Sequence, residues 1–205
     1  MLKYILYLIV IFIVGGLITG GIHLYRVAQK NKKEMAQYQG DEAIAVKPLG
    51  KVLVVYYSLS GHTRDIAEII RNKTGADIYE IKTAEPIKQN PLMYLKIRKQ
   101  LKEQKYPQLA GPLPDFSAYD MVFVGAPVWW YTIATPGLSF LQQADFQGKK
   151  VVPFSTQGSN YGSFFEDFTQ RAKNAKLLTS ADFNNLPAEY DRAVENKISR
   201  WLNSL

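Results

Sequence analysis

Hydrophobic and polar positions divide the chain into three regimes. Residues 4–25 form an apolar stretch without Asp, Glu, Lys or Arg. As a helix this stretch would extend about 33 Å, enough for a hydrocarbon core of about 30 Å. A buried core helix is usually shorter and seldom apolar on every side, so the pattern predicts a membrane span. A cleavable signal peptide is the rival reading. Its apolar region runs about 7 to 15 residues and ends in a small-residue cleavage site, whereas this run is longer and leads into Arg26, Lys30, Lys32 and Lys33. An uncleaved single-pass anchor over residues 1–26 fits better. Only Lys3 precedes the span while four basic residues follow it, so the positive-inside bias predicts that the rest of the chain lies on the cytoplasmic side of the cell membrane. Gly16 and Gly20 have small-xxx-small spacing, which would suit a homodimer of spans, though glycine is frequent in membrane helices in any case.

Residues 27–50 are polar and charged and end at Pro48 and Gly50 without sustained apolar periodicity, which predicts a juxtamembrane linker. From residue 51 short β-branched runs alternate with helical stretches, the pattern of βαβ units around a parallel sheet. Strands are predicted at 51–57, 78–81, 121–126 and 151–155, with a fifth beginning at 176–179. Helices are predicted at 63–72, 93–105, 135–143, 164–175 and 189–202. The first strand is almost continuously apolar, as a strand buried on both faces should be. Ile66, Ile69 and Ile70 fall on one face of the first helix. The reading is an α/β domain over 51–205, an open three-layer sandwich with a five-stranded parallel sheet.

Composition narrows the chemistry. At 205 residues and 47% hydrophobic content the chain fits one domain with an appendage. It has no cysteine, which excludes disulfides, thiolate metal sites and cysteine nucleophiles, and its two histidines, His23 and His62, leave little for a metal centre. The formal charge of +7 is uneven: residues 1–40 hold five basic residues and one acid, and the remainder twenty basic and seventeen acidic. The excess therefore belongs largely to the flank of the span, and no nucleic-acid partner is expected.

In a sheet of this kind ligands sit beyond the carboxyl ends of the strands. Three segments occupy those positions. Residues 58–63 (Ser58, Leu59, Ser60, Gly61, His62, Thr63) join a buried strand to a helix, and hydroxyls around a glycine at a helix N-terminus suit a phosphate. The alternative is simple helix capping by the same serines and threonine. The loop has no lysine, and neither G-x-x-x-x-G-K-[ST] nor G-x-G-x-x-G after a strand occurs. Residues 125–132 carry Ala126, Pro127, Val128, Trp129, Trp130 and Tyr131; three adjacent aromatics cannot all enter one core, so one is expected to offer a face to a planar ligand unless they pack on the next helix. Residues 155–163, with Thr156, Gln157, Gly158, Tyr161 and Gly162, would form the other half of a clamp.

On these motifs, YYSLSGHT at 56–63, GAPVWW at 125–130 and TQGSNYG at 156–162, the chain resembles the flavodoxin family over residues 51–205. The resemblance implies strand order 2-1-3-4-5 and flavin mononucleotide (FMN) as cofactor. It implies that Ser58, Ser60, Gly61, His62 and Thr63 hold the phosphate, with His62 where an asparagine often stands. Trp129 or Trp130 and Tyr161 would flank the ring, and backbone around Ala126, Val128, Gln157 and Gly158 would address its polar edge. Electron-carrier flavodoxins usually have a glycine in the second loop and an acidic rim; here residues 128–132 hold no glycine and the domain is mildly basic.

The expectation is a membrane-anchored FMN redox protein in which the flavin carries the chemistry and no side-chain catalyst is required. NAD(P)H with a quinone-type acceptor, or a redox partner protein, would exchange electrons with it. A one-electron carrier without its own substrate and a flavin-free interaction module are the alternatives. The helix carrying Lys96, Arg98, Lys99, Lys102 and Lys105 is either a solvated face or a contact for anionic lipid.

Overall fold

All five residues of β1 (Val52–Tyr56) are buried, because different helices cover the two faces of the strand. Successive side chains alternate: Val52, Val54 and Tyr56 enter one core with Ile66, Ile70, Ile198, Trp201 and Leu202, while Leu53, Val55 and the following Tyr57 enter the other with Ile97, Leu138, Phe140, Phe164 and Phe168. The computed structural model describes residues 2–40 and 42–205. Met1, at the start of the predicted anchor, and Asp41, within the predicted linker, lie outside the described residues.

The parallel sheet is built from β1, β2 (Asp77–Glu80), β3 (Met121–Trp129) and β5 (Lys150–Gln157), flanked by the edge strands β6 (Lys176–Leu177) and β7 (Ala181–Asn184). The order is β2-β1-β3-β5-β6/β7, which is 2-1-3-4-5 when the parallel strands alone are numbered and β6 and β7 count as two pieces of one strand. The break has a local cause. Val151 turns its carbonyl to the Leu178 N–H, so period two aims Pro153 at the same edge, where it has no N–H to give. Residues 178–180 lie there, and pairing resumes at Phe154 with Ala181. A short β4 (Thr132–Ile133) pairs antiparallel with the end of β3.

Helices α2 (His62–Thr74) and α6 (Asp191–Ser204) cover one face, and α3 (Met93–Glu103), α4 (Thr135–Gln143) and α5 (Phe164–Arg171) the other. In α2, Ile66 and Ile70 are buried while Ile69 is half-buried; Gly75 in the left-handed region ends the helix. The predicted 164–175 helix stops at Arg171, and β3 and β5 run further than the apolar pattern suggested, to Trp129 and Gln157. Ladder pairing of Pro127 with Thr156 carries both strands past the apolar run.

Residues 27–50 are not a free linker. Helix α1 (Leu2–Met35) continues through nine of them, since none up to Met35 is Gly or Pro. Its end docks on the domain: Met35 is buried, Asn184 Nδ2 donates to Asn31 Oδ1 at 2.7 Å, and Lys197 bridges to Glu34 at 2.6 Å. The strap then follows α6, where Asn196 donates to the Tyr38 and Gly40 carbonyls and Asn203 bonds both Ala45 O and Lys47 N–H. Among the described residues none covers the apolar part of α1, and it is long and apolar enough to cross a membrane.

Candidate functional site

The turn after β1 is set by Gly61, whose φ of +104° only glycine takes without strain. The N–H groups of His62, Thr63 and Arg64 in the first turn of α2 have no intrahelical acceptor, since the ladder begins with Asp65 N–H to Gly61 O at 2.9 Å. The predicted trio of hydroxyls is not free as a set. Ser58 Oγ accepts the Gly61 N–H at 3.1 Å, and Thr63, 1% exposed, turns its hydroxyl to that of Thr156 at 2.7 Å. Ser60 and His62 are exposed. The cation that the sequence reading did not find in this loop is Arg64, one residue beyond it, whose Nη2 lies 3.1 Å from where a Cβ on Gly61 would stand. A guanidinium one step inside a helix carries no motif, so its approach depends on how α2 is set against the turn.

The second segment is strand almost to its tip. Ala126 is buried, Pro127 and Val128 are half-buried, and the reversal is a two-residue hairpin whose tip residues, Trp130 and Tyr131, have φ of 50° and 63°. Both are left-handed, as a type I′ turn requires, at a cost of about 1–2 kcal/mol per non-glycine residue. Contacts from the third segment hold the turn: Ser163 donates its N–H to Tyr131 O at 2.7 Å, and Asp167 accepts from both the Ser163 hydroxyl, at 2.7 Å, and the Thr132 hydroxyl. Gly162, with φ of +56°, is needed because a Cβ there would stand 2.2 Å from Tyr131 O. Ser163 and Asp167 were not among the predicted residues; Ser163 at the start of α5 and the carboxylate one turn on were the available signal.

The two tryptophans separate. Trp129 is buried, its ring edge-to-face with Tyr57 at 5.6 Å, so it belongs to the core and offers no face to a ligand. Burial and the Glu80 carboxylate push the Tyr57 phenol up to about 12. Trp130 is 43% exposed; its Nε1 donates to Tyr94 O at 3.0 Å and the Arg98 guanidinium lies 5.8 Å from its ring centre. Tyr161, 42% exposed, meets the Phe165 ring edge-to-face at 5.1 Å. In the third segment Thr156 and Gln157 lie on β5 and are buried. The Gln157 amide receives Ser155 Oγ at 2.9 Å and donates to Asp182 at 2.9 Å, and its backbone carbonyl accepts the Asn185 N–H at 2.8 Å, so the side chain is turned aside and the carbonyl is held by the edge strand. Gly158 is exposed, with open space around it.

The tips of β1, β3 and β5 thus meet through Thr63 with Thr156 and Tyr131 with Ser163. A cavity of about 590 Å³ lies between residues 84–92 and α3, with Lys88, Asn90, Lys96 and Gln100 on its lining and no residue of the three segments. Among the described residues no group of three or more His, Cys, Asp or Glu is placed to hold a metal.

Fold and site define an open, doubly wound α/β protein with anion donors and exposed aromatics at the switch point of the strand order. The chain belongs to the flavodoxin family, whose model, described as Flavodoxin, matches residues 51–204. Among solved structures it is similar to a flavoprotein of Lactobacillus acidophilus NCFM in complex with FMN, at 25% identity and a TM-score of 0.59, over 65% of this chain and 93% of that one. It is similar at 25% identity and a TM-score of 0.61 to a protein of Bacteroides eggerthii DSM 20697 (76% of this chain, 97% of that one) and to one of Bacteroides uniformis ATCC 8492 (76% and 99%). Among curated proteins none matches the chain.

Proposed function

We propose that this chain is a membrane-anchored FMN protein that accepts electrons from NAD(P)H and passes them to a quinone-type acceptor. The observation that carries the reading is the meeting of three strand tips around free first-turn N–H groups and two exposed aromatic rings. These residues fit FMN. The N–H groups of His62, Thr63 and Arg64, the Ser60 hydroxyl and the Arg64 guanidinium suit a phosphate, and Trp130 and Tyr161 suit a flat ring system. When bound, FMN supplies reversible acceptance of electrons, singly or in pairs. The protein's own part is to fix the phosphate at the helix start, hold the ring between aromatic faces and keep the strained Trp130–Tyr131 turn in place through Ser163 and Asp167.

Two features support anchoring by α1. Its apolar residues pack against nothing, and the helix runs unbroken into a segment buried in the domain, so it continues past any signal-peptide cleavage point before residue 31. The basic residues Arg26, Lys30, Lys32 and Lys33 support a cytoplasmic domain.

The test is the visible spectrum of the purified full-length protein, titrated with FMN and then anaerobically with NADH or NADPH. Flavin absorbance bound in equimolar amount and bleached by the nicotinamide, with recovery on adding a short-chain quinone, is expected. No flavin binding by folded protein refutes the cofactor; bound flavin that requires a separate reductase refutes the nicotinamide step and leaves a carrier.

A further inference from the structure

The ladder register fixes how far each strand tip stands from the membrane span. Gln157 pairs with Asn184 and Thr156 with Pro127, so Val128 is level with Asn184. Trp130 lies two residues further along, about 7 Å beyond that level, and β7 lies two strand spacings, about 10 Å, to the side of β3. Asn31 is bonded to Asn184. From there α1 and its strap run alongside α6 in the same sense, Glu34 meeting Lys197, Gln37 O meeting Arg200 and Ala45 O meeting Asn203. Helix α6 ends with Trp201 bonded to Thr179, before β7 begins. The apolar part of α1 therefore leaves the domain from the carboxyl end of the sheet, where the candidate site lies. Tyr25, the last residue of the apolar run, is six residues or about 9 Å above Asn31. Measured along the strand direction, the edge of the hydrocarbon thus falls at about the level of the β3–β4 hairpin tip.

The surface at that end matches its surroundings. Outside α1, the exposed large apolar side chains among the described residues are Leu92, Tyr94, Leu95, Trp130, Tyr131 and Tyr161. Contacts already described join them into one rim, Tyr94 to Trp130 and Tyr131 to the 161–163 turn. Residues 88–105 hold six basic side chains and one acid, and Arg26, Lys30, Lys32 and Lys33 follow the apolar run over the next two turns of α1. Tryptophan and tyrosine favour the membrane interface, and basic groups favour anionic headgroups.

We propose that this end of the domain rests on the bilayer, with Trp130, Tyr131, Leu92 and Leu95 in the headgroup layer of an anionic membrane. The proposal rests on the anchoring reading above and deepens it: a crevice rimmed by lipid receives its acceptor from the bilayer, as a lipid-dissolved planar molecule.

The test uses full-length protein freed of bound flavin, which would itself cover Trp130, in vesicles of phosphatidylcholine and phosphatidylglycerol whose phosphatidylcholine carries bromines at a shallow or a deep acyl position. Of the three tryptophans, Trp129 and Trp201 are buried, so the emission difference between wild type and Trp130→Phe reports Trp130. Loss of that emission, stronger with shallow than with deep bromines and diminished in a Leu92→Glu, Leu95→Glu variant, is the expected result. An alkaline wash of the same vesicles checks the anchor. Release of the protein overturns the anchor and the proposal together. Retention with Trp130 unquenched by bromines and open to acrylamide overturns the docked face alone, and retention with Trp130 shielded from both assigns the rim to a second copy of the chain, which also overturns it.

Discussion

The buried hydroxyl pair between Thr63 and Thr156 offers a direct test of how the strand tips are braced. Both residues are almost fully buried, at 1% and 3% exposed, and their oxygens are 2.7 Å apart. Thr156→Val removes one hydroxyl at nearly constant volume and leaves the Thr63 hydroxyl buried without its partner, at a cost of about 1–3 kcal/mol. Thr63→Val should cost the same for the same reason. Replacing both removes both polar groups, and the double variant should lie close to the wild type, so the coupling equals the sum of the two single costs, about 2–6 kcal/mol. Against a total stability of about 5–15 kcal/mol, equilibrium unfolding in guanidinium resolves such a shift in midpoint at constant slope. Additive single effects, with the double variant worst, would refute the pairing. The same variants separate bracing from ligand contact. If the pair only holds the tips together, the double variant binds FMN as the wild type does, whereas a loss confined to chains carrying Thr63→Val assigns that hydroxyl to the ligand.

The two adjacent tryptophans should respond oppositely. Trp129→Ala empties a core site and should cost about 3–5 kcal/mol of stability. Trp130→Ala should leave stability within about 1 kcal/mol while weakening FMN binding by a stacking increment of about 1 kcal/mol, roughly fivefold, measured by flavin fluorescence titration; equal effects at both positions would contradict the assignment. Tyr57 should make the fold alkali-sensitive. Its folded pKa is raised from 10.0 to about 12, so the unfolded chain ionises first, and the stability it contributes is whole below pH 10 and lost as pH rises towards 12. Two pKa units correspond to roughly 3 kcal/mol, so the stability of the wild type should fall relative to that of Tyr57→Phe by about that amount across this range; a difference independent of pH would exclude the effect.

Much of the architecture is written in short-range pattern. A parallel strand covered on both faces needs a continuous apolar run, so β1 and the cores of β3 and β5 were legible, and their order follows from the family resemblance of the turns between them. Glycine and hydroxyl residues marked the three loops because a turn at a strand tip needs positive φ or a helix start, as at Gly61. The apolar run of α1 was equally plain. Pairings between distant residues were not legible. Pro127 and Thr156 look like loop residues until the ladder pairs them. Trp129 and Trp130 are chemically identical neighbours, and only the hairpin sends one into the core and the other to the surface. Residues 31–47 lack apolar period, yet side-chain hydrogen bonds of Asn184, Asn196, Lys197 and Asn203 fasten Asn31, Glu34, Tyr38, Gly40, Ala45 and Lys47 to α6 and β7. Periodicity and turn chemistry act within a few residues and are set by the chain alone. Which buried polar group meets which, as with Thr63 and Thr156 ninety-three positions apart, depends on surfaces that exist only once the helices have packed on the sheet.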